Sequence, residues 1–66
     1  MTDEAPPIPA VEKLRAIERE IGYRRVVYPR RVMEKKMTQR QADWQLAVME
    51  AIRDDYMKLA KEEQLL

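Results

Sequence analysis

Apolar residues in the second half of the chain recur at the spacing of one helix face. They fall three or four residues apart over almost twenty positions, at Ala42, Leu46, Met49, Ile52, Tyr56 and Leu59. Three further residues, Trp44, Val48 and Ala51, widen this stripe to one side. Neither Gly nor Pro interrupts the pattern, so it predicts a helix from Gln39 to about Glu62, roughly 36 Å long at 1.5 Å per residue.

The first half of the chain carries a shorter apolar face. Leu14, Ile17 and Ile21 have helical spacing, which predicts a helix that starts near Ala10. Pro29 removes a backbone donor and disfavours a helix interior, and the apolar pattern blurs around it. Two interpretations remain open. One long helix kinks around Pro29, or it stops near residue 27 and a short helix restarts with Pro29 at its first position. Either form is expected to reach about Lys35.

A helix-start signature separates these two stretches. Thr38 is followed three residues later by Gln41, the spacing of a capping box, in which each side chain bonds the backbone N–H of the other residue. Met37 precedes Thr38 and offers an apolar contact at the entry to the helix. The second helix is therefore predicted to begin at residue 39.

Two helices of similar length joined by three or four residues predict an all-α fold, an antiparallel helical hairpin. Residues 10–66 form this hairpin domain, and residues 1–9, rich in Pro, are predicted to be a disordered tail. The chain has 66 residues and no Cys, and a lone hairpin leaves part of each apolar stripe uncovered. We therefore expect a homodimer that pairs into a dimeric helical bundle.

Charge is distributed unevenly along the chain. Residues 24–40 hold seven basic residues against one acidic residue, a local charge of +6, whereas the whole chain sums to +1. Together with one aromatic residue, these cations form the predicted partner-binding set: Arg24, Arg25, Arg30, Arg31, Lys35, Lys36, Arg40 and Trp44. Aromatic and Arg side chains are enriched among the residues that dominate binding energy at interfaces.

The composition lacks the residue types that several classes of function require. His, Cys and Ser are absent, so the common general bases and nucleophiles are missing, and we expect neither an enzyme nor a cofactor. Glu50, Asp54 and Asp55 share a helical region, but a solvated acidic face explains them better than a metal site. No apolar stretch approaches the ~20 residues that span a bilayer, and the acidic N-terminus is unlike a signal peptide. We expect a cytoplasmic protein.

The basic segment has three interpretations. It binds an acidic protein partner, or it binds nucleic acid through phosphate contacts beside a helix N-terminus, or its side chains are solvated and partly paired with acids of a neighbouring chain. The pI near 8.0 is low for a dedicated nucleic-acid-binding domain, so the protein partner is favoured.

Three segments resemble a group of small proteins encoded by bacteriophages and prophages. They are EIGYRRVVYPRRV at 20–32, MTQRQAD at 37–43 and AVMEAIRDDY at 47–56. The resemblance covers roughly residues 18–58 and implies a phage origin, in a bacterial host cytoplasm, without implying an activity. Members of that group often carry Gly where this chain has Lys35. By analogy with other short phage proteins, the resemblance implies a non-catalytic module that engages host machinery.

Overall fold

The computed structural model describes residues 7–65, which form two helices and the turn between them. Helix α1 spans Ala10–Met33 and helix α2 spans Gln39–Leu65. The two helices contact each other along their length and run antiparallel. The predicted all-α antiparallel hairpin is therefore confirmed, with a connection of five residues, 34–38, instead of three or four.

Helix α1 is continuous through Pro29. All 24 residues from Ala10 to Met33 are helical, so the alternative in which the helix stops near residue 27 and restarts is wrong. The kink stays a prediction. Pro29 lies four residues from the end of the helix and is exposed, so water can hydrate the Arg25 carbonyl that its missing N–H leaves unpaired. The helix ends at Met33, two residues before the predicted Lys35.

Helix α2 begins at Gln39 as the capping box predicts, and it extends three residues beyond the predicted end at Glu62. Its 27 residues contain no Gly or Pro to stop it. The helix therefore continues through the polar residues 61–64.

The contact between the helices is a narrow seam with small residues at both ends. Its buried apolar members are Ala10, Ile21, Tyr28, Ala42, Met49 and Ala60. Three of the six are Ala, which allows the two backbones to approach closely at the base and near the turn. The stripe predicted for α2 is confirmed at Ala42 and Met49, but at its far end Ala60 is buried and Leu59 remains 45% exposed.

The hairpin is a single layer of helices. Its principal extents are 47 × 32 × 15 Å, and the shortest is little more than the diameter of one helix with side chains.

Residues 7–9 precede α1 without regular structure and are exposed, whereas the rest of the predicted Pro-rich tail lies outside the described residues. Within residues 7–65, neither helix has a window long and apolar enough to cross a membrane.

Candidate partner-binding site

Five of the eight predicted site residues lie at the turn end of the hairpin. Arg30 and Arg31 occupy the last turn of α1, Lys35 and Lys36 lie in the connection, and Arg40 is in the first turn of α2. We call this group the basic tip. The fold brings these five cations together because the chain reverses direction inside the charge cluster.

The backbone of the basic tip forms a tight helix-ending turn. Lys36 N–H donates to the Arg31 carbonyl (2.9 Å), and Lys35 N–H donates to the Val32 carbonyl (3.0 Å). This pair of bonds is the Schellman arrangement, which requires a left-handed residue just after the helix. Lys35 takes that place with φ 61°, a conformation that Gly adopts at lower cost. The tip cations are therefore presented from a hydrogen-bonded turn.

The start of α2 has the predicted capping box. Gln41 N–H donates to Thr38 Oγ1 (3.1 Å), and Thr38 N–H donates to Gln41 Oε1 (2.9 Å). Thr38 also accepts, through its carbonyl, the first helical bond from Ala42 N–H (3.0 Å). These bonds satisfy donors that a helix start leaves open and fix the direction in which α2 leaves the tip.

Arg24 and Arg25 lie away from the basic tip, on the stem of the hairpin, and both form ion pairs there. Arg24 Nε donates to Glu20 Oε1 (2.9 Å), and its guanidinium lies 6.0 Å from the centre of the Tyr28 ring. The Glu20 hydrogen bond raises the pKa of Arg24 above its usual value. Arg25 Nη2 donates to Glu50 Oε2 of α2 (2.9 Å). Consecutive residues point about 100° apart on a helix, so these two cations serve different sides of α1.

The cations of the basic tip have few acidic partners of their own chain. Lys36 Nζ lies 3.1 Å from the Glu34 carboxylate, and both side chains are largely exposed. Among residues 7–65, no ion pair forms at Arg30, Arg31, Lys35 or Arg40. Within the described part of the chain, four positive charges at one end of the hairpin therefore lack an acidic partner.

An open groove adjoins these charges. It encloses about 300 Å³ and is lined by Val27, Arg30, Arg31, Glu34, Lys36 and Met37. That volume is at the lower end of the range for small-molecule pockets, and suits one or two inserted side chains. The lining of the groove combines two apolar side chains, Val27 and Met37, with two guanidinium groups. Val27 and Met37 were not among the predicted site residues. In a continuous α1, residues 30 and 31 lie three and four positions after residue 27, so the spacing could have indicated Val27.

Trp44 lies on the outer side of α2, one turn beyond Arg40. Its side chain is 67% exposed, and it borders a shallow depression together with Arg40, Asp43 and Ala47. An aromatic ring of this size is costly to leave in water. The structure therefore places the two predicted contact residues of α2 side by side on the outer surface.

Two acidic residues of α2 form ion pairs with basic neighbours. Glu50 accepts from Arg25, and Asp54 Oδ1 accepts from both Nε and Nη2 of Arg53. Among the described residues, no group of three acidic side chains lies close enough together to hold a metal ion.

Comparison of the chain with models of protein families, with curated proteins and with solved structures finds no match. The resemblance of residues 18–58 to phage-encoded proteins therefore stays a prediction. The geometry of the basic tip is therefore the main indication of function.

Proposed function

We propose that this protein is a non-catalytic helical binding module of phage type that engages a protein partner through the basic tip and Trp44. The proposal includes a homodimer in the cytoplasm of a bacterial host, with host machinery as the partner. The observation that carries it is the groove at the tip, lined by two apolar side chains, Val27 and Met37, together with Arg30 and Arg31. These two arginines form no ion pair within residues 7–65.

Electrostatics favour an acidic partner surface. Arg30, Arg31, Lys35 and Arg40 form no ion pair within the described chain, so a carboxylate arriving at the tip displaces no existing partner. Arg pairs with carboxylates through two parallel hydrogen bonds, which adds geometric specificity. Charge also raises the rate of encounter with an acidic protein.

Apolar contacts distinguish this site from a purely electrostatic one. Val27 and Met37 line the groove, and Trp44 exposes its ring next to Arg40. Interfaces between proteins combine an apolar centre with Arg and aromatic anchors. Met adapts its shape to varied partners. The combination supports recognition of a protein side chain at the tip.

The proposal is tested by retention of proteins from a bacterial host lysate on the immobilised full chain. Arg30→Glu with Arg31→Glu changes the net charge from +1 to −3, because each substitution removes two units. Lys58→Glu with Lys61→Glu makes the same change at the far end of α2 and is the matched control. A protein held by the wild type and by the control, but released by the tip variant, supports the proposal. Equal retention on all three chains contradicts it.

Nucleic acid is the alternative partner, and the position of the basic tip beside the N-terminus of α2 favours it. Phosphate contacts release counterions, so the affinity for a labelled oligonucleotide should fall steeply as the salt concentration rises. The fluorescence anisotropy of the labelled oligonucleotide, titrated with the protein at several salt concentrations, measures this affinity. No binding even at low salt would eliminate this alternative.

A further inference from the structure

Helix α1 exposes a line of residues on the side that faces away from α2. Three of them are large apolar side chains: Tyr23 is 60% exposed, Val26 68% and Met33 83%. At 100° per residue, these three lie within an arc of about 80°, roughly opposite Ile21 in the seam. With the exposed residues that share or border this arc, they form the outer face of α1: Arg19, Gly22, Tyr23, Val26, Arg30 and Met33.

The spacing along the outer face is that of a contact between two helices. Arg19, Tyr23, Val26, Arg30 and Met33 follow one another at four, three, four and three residues, the spacing of a coiled-coil seam. An arc of this width is narrower than the face that packs on a protein core, and it matches the contact with a single helix. From residue 19 to residue 33 it is roughly 21 Å long. The outer face therefore suits a partner helix of about four turns.

The charges of the outer face select an acidic partner. Arg19 and Arg30 are exposed, and neither forms an ion pair within residues 7–65. Glu20 is the only acidic residue between them in the chain, and it pairs with Arg24. A second copy of this chain meeting the outer face would bring four guanidinium groups together. Carboxylates of an acidic helix would instead pair with these groups, each through two parallel hydrogen bonds.

Gly22 has no structural role in the described hairpin. It lies in the interior of α1, where Gly is less favourable than any residue except Pro. A Cβ atom at this position would meet nothing within 4 Å, and the backbone φ is not positive. Neither close packing nor backbone conformation within residues 7–65 therefore requires Gly. A helix surface without a side chain allows the backbone of a binding partner to approach closely, so Gly22 fits a contact made from outside.

We propose that the protein partner docks an acidic amphipathic helix along the outer face of α1. Its apolar side chains contact Tyr23, Val26 and Met33. Its carboxylates pair with Arg19 and Arg30. This inference rests on the proposed function, because Arg30 belongs both to the outer face and to the basic tip. It adds the chemistry of the partner: a helix with apolar residues three and four positions apart, flanked by Asp or Glu.

The first test uses a synthetic peptide as the partner helix. A peptide of three heptads, with Leu at both seam positions and Glu at the flanking positions, presents the proposed chemistry. The same peptide with Lys in place of Glu is the matched control. In an NMR titration of the isotope-labelled full chain, the Glu peptide should shift the amide resonances of residues 19–33 most, and the Lys peptide should not. Equal shifts with the two peptides, or shifts confined to residues 35–44, would contradict the proposal.

Two variants separate docking from folding. Val26→Glu places a like charge against the acidic peptide at a site that is 68% exposed, so the hairpin should stay folded while the Kd rises at least about tenfold. Gly22→Gln introduces a better helix former into open space, so it should raise Tm by a few degrees and yet weaken peptide binding several-fold. Ala51→Glu and Ala51→Gln, at an exposed position of α2, are the controls and should leave the Kd unchanged. Unchanged or tighter peptide binding by Val26→Glu or Gly22→Gln overturns the inference.

An anionic lipid surface shares the charge preference of an acidic helix. The outer face has only three large apolar side chains, and none of them is Leu, Phe or Trp, so it offers little area for insertion into lipid. Vesicles of phosphatidylglycerol test this occupant. Binding of the wild type to the vesicles, lost in Val26→Glu, would assign the outer face to a membrane and overturn the inference.

Retention from a host lysate separates this inference from the proposed function. A protein released both by Arg30→Glu with Arg31→Glu and by Val26→Glu supports docking along the outer face. A protein released by the tip variant but retained by Val26→Glu leaves the basic tip as the binding site and contradicts the docked helix. If the tip variant releases nothing, the proposed function fails, and the peptide titration still decides whether the outer face binds an acidic helix.

Discussion

The backbone N–H of Ala10 donates a hydrogen bond to the Glu63 carboxylate, at 2.8 Å. The two residues are 53 positions apart in the chain, and their contact closes the open end of the hairpin. Pro9, at the N-cap of α1, provides no side-chain cap, so the carboxylate of α2 satisfies a donor that α1 leaves open at its start. A negative charge at this position also interacts favourably with the helix dipole.

Glu63→Gln should therefore destabilise the fold by about 0.5–2 kcal/mol, because the charge-assisted bond to α1 is weakened and the dipole interaction is lost. For a domain of this size, that corresponds to a decrease in Tm of several degrees. Thermal unfolding followed by circular dichroism at one fixed protein concentration measures it. Glu62→Gln removes the same charge from the preceding, exposed residue and should change Tm by less than a quarter as much. Equal effects of the two substitutions would show that Ala10 is not capped by Glu63.

Lys35→Gly should stabilise the protein by about 1 kcal/mol. Lys35 has φ 61°, where a side chain costs roughly 1–2 kcal/mol and Gly costs none, although Gly adds entropy to the unfolded chain. Urea unfolding of the two chains gives the difference in free energy. Lys36→Gly removes the same charge at the next residue, outside the left-handed region, and should be neutral or destabilising. A loss of stability in Lys35→Gly would contradict the turn geometry described for residues 34–36.

Thr38→Ala should destabilise the protein by about 1 kcal/mol, because Gln41 N–H loses its acceptor at the start of α2. Thr38→Ser keeps the hydroxyl and should retain most of the stability. In a double-mutant cycle with Gln41→Ala, the two losses should be non-additive, since each side chain bonds the backbone of the other residue. If the losses of unfolding free energy were additive in chemical denaturation, Thr38 and Gln41 would contribute independently and would not form a reciprocal capping box.

Pro29→Ala should stabilise the hairpin, by up to about 3 kcal/mol, because Ala restores the N–H that pairs with the Arg25 carbonyl within a continuous α1. Urea midpoints of the two chains measure the change. Ala16→Pro, at an exposed interior position of the same helix, is the reverse control and should cost a similar amount. If Pro29→Ala were strongly destabilising, the proline would be required for the geometry of the tip, as in a kinked helix.

The accuracy of the sequence prediction depended on how local each interaction is. The capping box of Thr38 and Gln41 acts over three residues, so the sequence predicted it. The ion pairs Glu12–Arg15 and Glu20–Arg24 are also local, since each lies within about one helical turn. Lys58 lies one helical turn beyond Asp54, but the structure pairs Asp54 with the adjacent Arg53. Several acceptors lie within reach of a long side chain on an exposed surface, and the free-energy differences among them are small.

The prediction of the candidate site was limited in the same way, because it relied on closeness in the chain. The eight residues were grouped because they are close in the chain, and the structure separates Arg24 and Arg25 from the basic tip and pairs both. The continuity of α1 through Pro29 determines this separation, since it sets the direction of each side chain at 100° per residue. The sequence pattern did not distinguish a continuous α1 from an interrupted one. The free-energy cost of an interior proline depends on the tertiary contacts that offset it.

Periodicity, caps and turns involve groups within a few residues of one another. The amino-acid sequence was therefore enough to predict two helices, the residues at which both begin and the reversal of the chain inside a basic segment. The tertiary structure was needed to show which cations form no ion pair within residues 7–65. It was also needed to show that Glu63 caps Ala10 and that Arg25 contacts Glu50. Those contacts join residues 25 to 53 positions apart. They depend on the antiparallel alignment of the two helices, which is set by packing along the whole seam.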